Sequence, residues 1–253
     1  MEKFLFLDLD DTVFQTLRKC SETEALLPVA FLADGEAISY STERQINLIE
    51  DLAANWRIIP TTARNRDAFF RVNLPVEFRE GAILNHGAMI IDQHGAPDPV
   101  WHERMKTRLA PYACGFGMLE RALLDFARRS DLPLKIRVIK EDEKPFYIVV
   151  KHRQADSDAL KSVRDDCVKP FFSKLCMEVY PHLNDNNLAI LPAPVNKAHA
   201  VAFLIERLRD RYGEIMTMGM GDSLTDIDFI ALCDYAMIPG RTQLHAALCA
   251  RGR

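Results

Sequence analysis

The sequence predicts an α/β protein: a Rossmann-like core with a parallel sheet, into which an α+β domain is inserted. Three short apolar runs, at residues 4–7, 56–60 and 215–218, have the pattern of buried strands, and polar residues follow each of them. Continuous apolar runs of this kind are typical of parallel strands that are covered on both faces. Helical patterns alternate with the runs along the chain, which indicates the α/β class.

The first predicted elements follow the opening strand. Residues 28–40 predict a hairpin that turns at Asp34 and Gly35, because an Asp-Gly pair between apolar runs favours a tight turn. Thr42 has a glutamine three residues on, the spacing of a capping box, and apolar residues at helical spacing come after it. A helix and then the second strand, at 56–60, are therefore predicted after the hairpin.

A short strand pair is predicted at 82–84 and 89–91, and the pattern changes after it. The block at 91–192 alternates as α-β-β-α-β-β, so we interpret it as an inserted domain and assign 1–90 and 193–253 to the core. The remaining predicted elements are a helix around 119–126, strands at 134–140 and 145–151, a helix at 156–168, strands near 175–180 and 187–191, a helix at 197–211 and the strand at 215–218.

Length and composition set limits on the class of protein. The 253 residues suffice for one substantial core or two modest domains. An apolar content of 48% and a charged content of 27% are ordinary for a globular protein. A net charge of −4 argues against nucleic acid as the main partner, because phosphate backbones favour clustered basic surfaces.

Compartment is inferred from the apolar runs and the cysteines. No apolar run approaches the roughly 20 residues that span a bilayer, and the short opening run is unlike a signal peptide. The six cysteines are scattered without a C-x-x-C pair, which indicates free thiols in a reducing cytosol. We expect a cytoplasmic monomer or homodimer whose partner is a small phosphorylated molecule, with no nucleic acid and no membrane.

Polar side chains that can carry chemistry stand at the ends of the predicted core elements. A strand-terminal aspartate or threonine often only caps a helix, and a lysine at a helix start is usually a solvated charge. Together they form an ordered set of carboxylate pair, hydroxyl, lysine and second carboxylate pair, which fits phosphoryl transfer through an aspartyl phosphate. The residues are Asp8, Asp10, Thr61, Thr62, Lys197, Asp222 and Asp226.

The chemistry gives each of these residues a role. A phosphate monoester is a dianion and repels a bare carboxylate, so a hard cation such as Mg²⁺, held by Asp8, Asp10 and Asp222, is expected to offset the repulsion. Lys197 and the Thr62 hydroxyl would then bind the phosphoryl oxygens. Asp8 would attack phosphorus, and Asp10 would protonate the leaving alcohol and later deprotonate water.

These residues resemble the motifs of the haloacid dehalogenase (HAD) superfamily of phosphatases. The resemblance covers the whole chain, because the insert lies where Cof-type and sucrose-phosphatase-like members carry a C2 cap. The segment 85–88 also resembles the Asn-Gly turn that those members have before the cap. The four matching motifs are Asp8-Leu9-Asp10-Asp11-Thr12, Thr62-Ala63-Arg64, Lys197, and Gly221-Asp222-Ser223-Leu224-Thr225-Asp226.

The resemblance implies a role for each matched residue. Asp8 is the nucleophile, Asp10 the general acid and base, and Asp222 a metal ligand. The Asp8 carboxylate and the Asp10 backbone carbonyl complete the protein's share of the Mg²⁺ shell. Asp226 and Ser223 hold the metal ligands in place without binding the metal themselves.

Three features differ from the commoner family pattern. Asp11 stands where a glycine is more frequent, and Thr61 competes with Thr62 for the hydroxyl of the second motif. Thr62 is preferred because it stands two residues before Arg64. The segment 13–40 is longer than in typical C2 members, and it is either a flap over the site or a surface hairpin.

Substrate choice is expected to lie in the insert. Strand alternation predicts one polar face on its sheet, which would suit a sugar phosphate with a second anionic group if that face looks toward the catalytic strands. The alternative is that these side chains are ordinary solvated sheet positions. The face is predicted to carry Lys135, Arg137, Tyr147, Lys151, Glu178 and Tyr180, and further candidates for substrate contact are Thr61, Arg64, Asn85, His86, His182 and Arg241.

The function predicted from the sequence is Mg²⁺-dependent hydrolysis of small phosphorylated metabolites, with sugar phosphates as the favoured class. A phosphotransferase or mutase could use the same site. A protein phosphatase is disfavoured because a large cap would block bulky substrates. A non-catalytic binding or regulatory module with this fold is also open, although such a module has no need of Asp10.

Overall fold

The computed structural model describes residues 1–21, 24–141, 144–175, 177–184 and 186–251. The chain forms two compact units, which we call the core unit (Met1–His102 with Lys197–Arg253) and the inserted unit (Glu103–Asn196). Among the described residues, no helix is both long enough and apolar enough to cross a membrane.

The helices and strands alternate as an α/β chain with an interruption. The elements before the insert are β1 (Glu2–Leu7), β2 (Leu26–Phe31), β3 (Ala37–Thr42), α1 (Glu43–Asn55), β4 (Arg57–Pro60), α2 (Arg66–Phe69), β5 (Ala82–Leu84), β6 (Met89–Ile91) and α3 (Pro99–Leu109). The next are α4 (Ala113–Arg129), β7 (Leu134–Glu141), β8 (Lys144–His152), α5 (Ser157–Ser162), α6 (Lys169–Leu175), β9 (Val179–Asn184) and β10 (Asn187–Pro192). The chain ends with α7 (Lys197–Tyr212), β11 (Ile215–Met220), α8 (Ile227–Ile230), β12 (Tyr235–Met237) and α9 (Gln243–Arg251).

The core unit is built on a parallel sheet with the strand order β12-β11-β1-β4. The apolar residues of β1 from Phe4 to Leu7 have no exposed surface, as expected for a central strand. The chain runs from β1 to β4 on one side, whereas β11 and β12 lie on the other side of β1. A reversal of this kind opens a crevice outside the carboxyl ends of the strands, where ligands bind in such sheets.

The predicted hairpin and capping box are confirmed. Strands β2 and β3 pair antiparallel, and Gly35 in their turn has a φ of +90°, which a glycine adopts without steric cost. The Thr42 side chain accepts from the backbone N–H of Gln45, and the Gln45 side chain accepts from that of Thr42. Ile49 and Leu52 on α1 are buried, so the helical spacing faces the core as predicted.

The division between the units differs from the predicted boundaries at residues 90 and 192. The first unit extends through His102 because Trp101, at the start of α3, is packed into it. Trp101 is 1% exposed, donates from Nε1 to the Gly87 carbonyl at 3.0 Å, and lies 5.0 Å from the Phe203 ring.

The inserted unit has its own antiparallel sheet, with the strand order β7-β8-β10-β9. One face of this sheet packs on the helices through Ile148 and Val150 of β8 and Leu119 and Leu123 of α4. The predicted strand near 175–180 is wrong at its start, because helix α6 continues to Leu175 and β9 begins only at Val179.

Removing the capping box should destabilise the core unit. We expect Thr42→Ala to lower the free energy of unfolding by about 1 kcal/mol, because the backbone N–H of Gln45 loses the hydroxyl oxygen to which it donates. Both tryptophans belong to the core unit, so their fluorescence during urea unfolding reports on it. Thr16→Ala is a matched control, since Thr16 precedes a 3₁₀ turn but its side chain makes no cap hydrogen bond. Equal losses in the two variants would contradict the prediction.

Candidate active site

The predicted site residues of the core unit meet at the carboxyl edge of the parallel sheet. The backbone N–H of Asp8 donates to the Met220 carbonyl at 2.9 Å, and that of Thr61 donates to the Leu7 carbonyl at 2.7 Å. These bonds continue the pairing of the sheet beyond the strand ends. They bring the loops after β1, β4 and β11 side by side.

A buried ion cluster lies at this edge. The Lys197 ammonium, on the first residue of α7, donates to Asp8 Oδ1 at 2.6 Å and to Asp226 Oδ1 at 2.7 Å. The three side chains are 8%, 7% and 0% exposed, respectively. An isolated charge at such depth is very costly, so each group depends on the others.

Asp226 is held on its second oxygen by the turn that follows β11. Its Oδ2 accepts from the Ser223 hydroxyl at 2.7 Å and from the Ser223 backbone N–H at 3.0 Å. Gly221 permits this approach, because a Cβ at that position would lie 2.7 Å from the Asp226 Cβ. With both of its oxygens engaged, Asp226 supports the cluster from behind.

Thr12 links the two other carboxylates of the site. Its hydroxyl lies 3.0 Å from Asp8 Oδ2 and 3.4 Å from Asp222 Oδ1. No role for this side chain was predicted from the sequence. Its place at the end of the first motif, four residues after Asp8, was a signal that could have indicated one.

The donor set suits a divalent cation. One carboxylate oxygen from each of Asp8, Asp222 and Asp226 lies within 4.8 Å of the other two, and Lys197 and Ser223 hold the oxygens of Asp226. Lys197 is the ammonium that pairs with two of these carboxylates, so three carboxylates and one lysine leave a formal excess of two negative charges. Carboxylate oxygens are the ligands that Mg²⁺ prefers. A divalent cation would therefore balance the charge of the cluster.

The pKa values report the same imbalance. Burial, together with the charges of Asp226 and Asp222, raises the pKa of Asp8 well above its ordinary value in spite of Lys197. Burial and the charges of Asp226 and Asp11 raise the pKa of Asp222 to about 7. Burial opposes the ionisation of Asp226 as well, but the charge of Lys197 and the hydrogen bonds from Lys197 and Ser223 lower its pKa. Lys197 therefore stabilises the ionised form of Asp226 more than that of Asp8.

Asp10 is held apart from this cluster by an arginine. Its Oδ1 and Oδ2 accept from Arg64 Nη2 at 2.7 Å and Nε at 2.8 Å, a bidentate pair that fixes the plane of the carboxylate. The guanidinium also lies 5.0 Å from the Phe14 ring centroid and donates to the Ala68 carbonyl at 3.3 Å. Arg64 is 10% exposed and Asp10 is 45% exposed, so the carboxylate remains reachable from solvent.

Asp11 connects the site with Lys19, which lies in the segment 13–40. It has a φ of +61°, a left-handed conformation that costs energy for a residue with a side chain. Its carboxylate pairs with Lys19 at 2.5 Å, from the 3₁₀ turn Leu17–Lys19. Lys19 was not predicted from the sequence, because no local pattern connects it with Asp11. Whether the segment acts as a flap stays a prediction.

The two threonines after β4 use their hydroxyls differently. Thr61 donates to the Ile59 carbonyl at 3.1 Å. The Thr62 hydroxyl accepts from the Arg64 backbone N–H at 3.1 Å, and no acceptor for its own hydrogen lies among the described residues. Both side chains are fully buried. Only Thr62 therefore keeps a hydrogen that it can donate.

A strained turn joins β5 to β6 beside these threonines. Asn85 and His86 have φ values of +53° and +56°, and both are buried. Their backbone N–H groups donate to the Arg64 carbonyl at 2.9 Å and to the Thr62 carbonyl at 3.2 Å. The turn therefore positions the backbone of the second motif.

The remaining candidates lie outside this cluster of contacts. Lys135, Arg137, Lys151 and Tyr180 belong to the inserted unit, and Tyr180 stacks on His182 with ring centroids 6.4 Å apart. Glu178 directly precedes β9, and its backbone carbonyl accepts from the Tyr112 hydroxyl at 2.9 Å. Arg241 precedes α9 and is exposed, with a φ of +65°.

Known proteins resemble this chain in structure but not in sequence. No model of a known protein family matches the sequence, and no curated protein matches it. Solved structures do match along nearly the whole chain.

Three of these structures illustrate the likeness. A sucrose-phosphatase from Synechocystis, in complex with sucrose and phosphate, is 16% identical with a TM-score of 0.54, and the match covers 100% of this chain and 98% of that one. A trehalose-6-phosphate phosphatase related protein is 20% identical with a TM-score of 0.52, covering 95% and 88%. A haloacid dehalogenase-like hydrolase from Bacteroides thetaiotaomicron is 14% identical with a TM-score of 0.50, covering 99% and 100%. The chain has the fold that these three structures share.

The raised pKa of Asp222 predicts a pH-dependent stability. Without a divalent cation, stability should fall as the pH rises from the ordinary aspartate value of 3.8 through about 7, because the folded state must then give up a proton that it binds more tightly than the unfolded chain. We expect Asp222→Asn to exceed the wild type in unfolding free energy by at least about 1 kcal/mol at about pH 8, and by less at about pH 5.

Urea unfolding in the presence of a chelator measures this difference. Asp228→Asn, an exposed aspartate on α8, is the matched control and should show no such dependence on pH. A difference between Asp222→Asn and the wild type that is the same at both pH values would contradict the assignment.

Proposed function

We propose that the protein is a Mg²⁺-dependent phosphomonoester hydrolase that acts on small phosphorylated metabolites, with sugar phosphates as the favoured class. The observation that carries the proposal is the buried set of Asp8, Asp222, Asp226 and Lys197 at the carboxyl edge of a parallel sheet. The names of two structures with the same fold, sucrose-phosphatase and trehalose-6-phosphate phosphatase related protein, support the substrate class.

Asp8 and Asp222, with the backbone carbonyl of Asp10, are the groups that would hold Mg²⁺. When bound, the ion neutralises phosphoryl oxygens and so lets an anionic nucleophile approach a dianionic ester. Asp226 has both oxygens occupied by Lys197 and Ser223, which supports its place behind the ligands.

Asp8 is the proposed nucleophile. Its carboxylate oxygen attacks phosphorus, the bond from phosphorus to the ester oxygen breaks, and an acyl phosphate forms on Asp8. Lys197 already contacts Asp8 and can share its charge with a phosphoryl oxygen, and Thr62 has a hydroxyl hydrogen to donate to another.

Asp10 is the proposed general acid and base. It would give a proton to the leaving alcohol and then take one from the water that hydrolyses the acyl phosphate. The bidentate pair with Arg64 orients the Asp10 carboxylate, so Arg64 serves here as a positioning residue. Asp10 is the side chain that distinguishes a hydrolase from a binding module, because binding a phosphate does not require it.

The inserted unit is proposed to act as the cap that selects the substrate. The five described cysteines are free thiols, which suits the expected cytosolic location. We still predict that the protein is a monomer or a homodimer. We also predict that it binds neither nucleic acid nor a membrane.

Removal of the nucleophile should abolish turnover. We expect Asp8→Asn to lower the hydrolysis of 4-nitrophenyl phosphate by at least about 10³-fold, because an amide cannot form the acyl phosphate. A chelator should abolish hydrolysis by the wild-type protein, and added Mg²⁺ should restore this activity. Asp228→Asn is the matched control and should keep wild-type turnover. Activity that persists in Asp8→Asn, or without any divalent cation, would refute the proposed site.

The two roles of Asp10 can be separated by the leaving group. We expect Asp10→Asn to slow steady-state turnover by about 10² to 10⁴. 4-Nitrophenolate leaves without a proton, so this variant should release one burst of it and then stall as the acyl phosphate. A sugar phosphate needs a protonated leaving group and should give no burst. Rapid-mixing kinetics decide the matter, and a burst of equal size with both esters would exclude Asp10 as the acid.

A further inference from the structure

The candidate active site has a further ion pair at its rim, formed by Asp11 and Lys19. Asp11 stands between two residues of the site: Asp10, the proposed general acid and base, and Thr12, whose hydroxyl lies 3.4 Å from Asp222 Oδ1. The Asp11 carboxylate contacts the Lys19 ammonium at 2.5 Å. The side chains are 21% and 39% exposed, respectively, so water and dissolved ions reach both of them.

The backbone of this loop explains the conformation of Asp11 but not its charge. Main-chain bonds already close the turn: the N–H of Asp11 donates to the Phe14 carbonyl at 2.7 Å, and that of Val13 donates to the Leu9 carbonyl at 3.0 Å. A φ of +61° suits glycine, and asparagine adopts it about as readily as aspartate does. A neutral residue would therefore serve the turn, and the carboxylate requires another explanation.

The Asp11 carboxylate adds negative charge to a site that already has an excess of it. The three buried carboxylates and Lys197 leave an excess that one divalent cation balances. Asp11 alone would increase this excess by one charge and so strengthen the repulsion of a phosphate dianion. Lys19 cancels the added charge, because its ammonium is in direct contact with the carboxylate.

Both members of the pair act on a proposed metal ligand. Burial is the largest cause of the raised pKa of Asp222, and the charges of Asp11 and Lys19 also act on this pKa, in opposite directions. Charges at partly exposed positions influence one another over about 10 Å at about 0.1 M salt. The pair therefore also acts on ions that bind beside Asp222.

An ordinary surface ion pair is the simpler explanation, and exposed pairs of that kind contribute little to stability. A typical example is Lys106 with Glu103, three residues apart on one exposed helix. The pair of Asp11 and Lys19 differs from it in position. It joins a residue of the catalytic loop to a turn eight residues further on, beside a buried ion cluster.

We propose that Asp11 and Lys19 set the preference of the site between its two kinds of ligand: Asp11 favours the divalent cation, and Lys19 favours the phosphate dianion. The proposal rests on the proposed function, since it takes Mg²⁺ and a phosphoryl group as the ligands. Both side chains act through their charge and are not catalytic residues. Together they leave the site able to accept a cation and then an anion.

Calorimetric titration of the full chain at low ionic strength tests this preference. The probes are Mg²⁺ and, at saturating Mg²⁺, inorganic phosphate. Lys19→Gln leaves Asp11 without its counterion, so it should bind Mg²⁺ about threefold or more tighter and phosphate about twofold or more weaker. Asp11→Asn should shift both affinities in the opposite directions. Each shift should shrink at about 0.5 M salt, because dissolved ions screen the charges.

Three further variants separate the effect of charge from a disturbance of the loop. The double variant Lys19→Gln with Asp11→Asn has the net charge of the wild type and should restore both affinities. Lys19→Arg keeps the positive charge and should bind both ligands as the wild type does. Arg79→Gln is the matched control. It breaks an exposed pair with Glu77 beside Arg57, which begins β4 and so lies at the opposite edge of the sheet.

The proposal is overturned if Lys19→Gln and Asp11→Asn both bind both ligands more weakly, as a disturbed loop would, or if neither differs from Arg79→Gln. A wild-type chain that binds no divalent cation overturns it together with the proposed metal site. Hydrolysis of 4-nitrophenyl phosphate is measured separately. If hydrolysis is absent while the two affinities shift in opposite directions, the phosphatase is refuted and the role of the ion pair stands.

Discussion

The contact of the Lys197 ammonium with Asp8 and Asp226 is the constraint on which the core unit depends. The three groups come from a helix start and from the loops after two neighbouring strands, and all are buried. Burial of one charge without the others would cost several kcal/mol, so the loops are tied to the helix. The pairing is incomplete, because one lysine faces three carboxylates. The remaining negative charge makes the site receptive to a divalent cation.

Around this cluster the backbone adopts conformations that a stable fold alone would avoid. Asp11, Asn85 and His86 all have positive φ values, and each stands in a loop that touches the site. Strain of this kind persists where the surroundings determine it, and it gathers at functional sites. The ion pair of Asp11 with Lys19 and the backbone bonds of the turn at 85–87 provide that support. These three strained residues lie at the same edge of the sheet as the buried charges, whereas Asp131, Ala155 and Arg241 have positive φ values elsewhere in the chain.

The inserted unit shows a milder form of the same principle. Its helical face is an ordinary apolar core, whereas its other face places Lys135 opposite Lys151 without a described counterion. In both units, charges are held in positions that reduce the stability of the unliganded chain. A divalent cation would balance the excess negative charge in the core unit.

Local patterns were sufficient to predict most elements. The strand 4–7 and the capping box at Thr42 follow from residues close together in the chain, and the structure confirms them. The start of β9 was not predicted, because the helix before it continues to Leu175 and carries Phe172 into the apolar core of the inserted unit, a contact that no local pattern encodes. The boundary of the core unit moved to His102 for a similar reason, since Trp101 is held by Gly87 and Phe203.

The sequence by itself determined which chemical groups are available, because the carboxylates, the lysine and the threonines follow recognisable strand ends or begin a helix. Only the tertiary structure decided which of them touch. It paired Lys197 with Asp226 as well as Asp8, joined Asp10 to Arg64, and placed the Thr12 hydroxyl between Asp8 and Asp222. The partners in most of these contacts are distant in sequence. No local periodicity encodes such contacts, which arise when parallel strands bring their carboxyl ends to one edge.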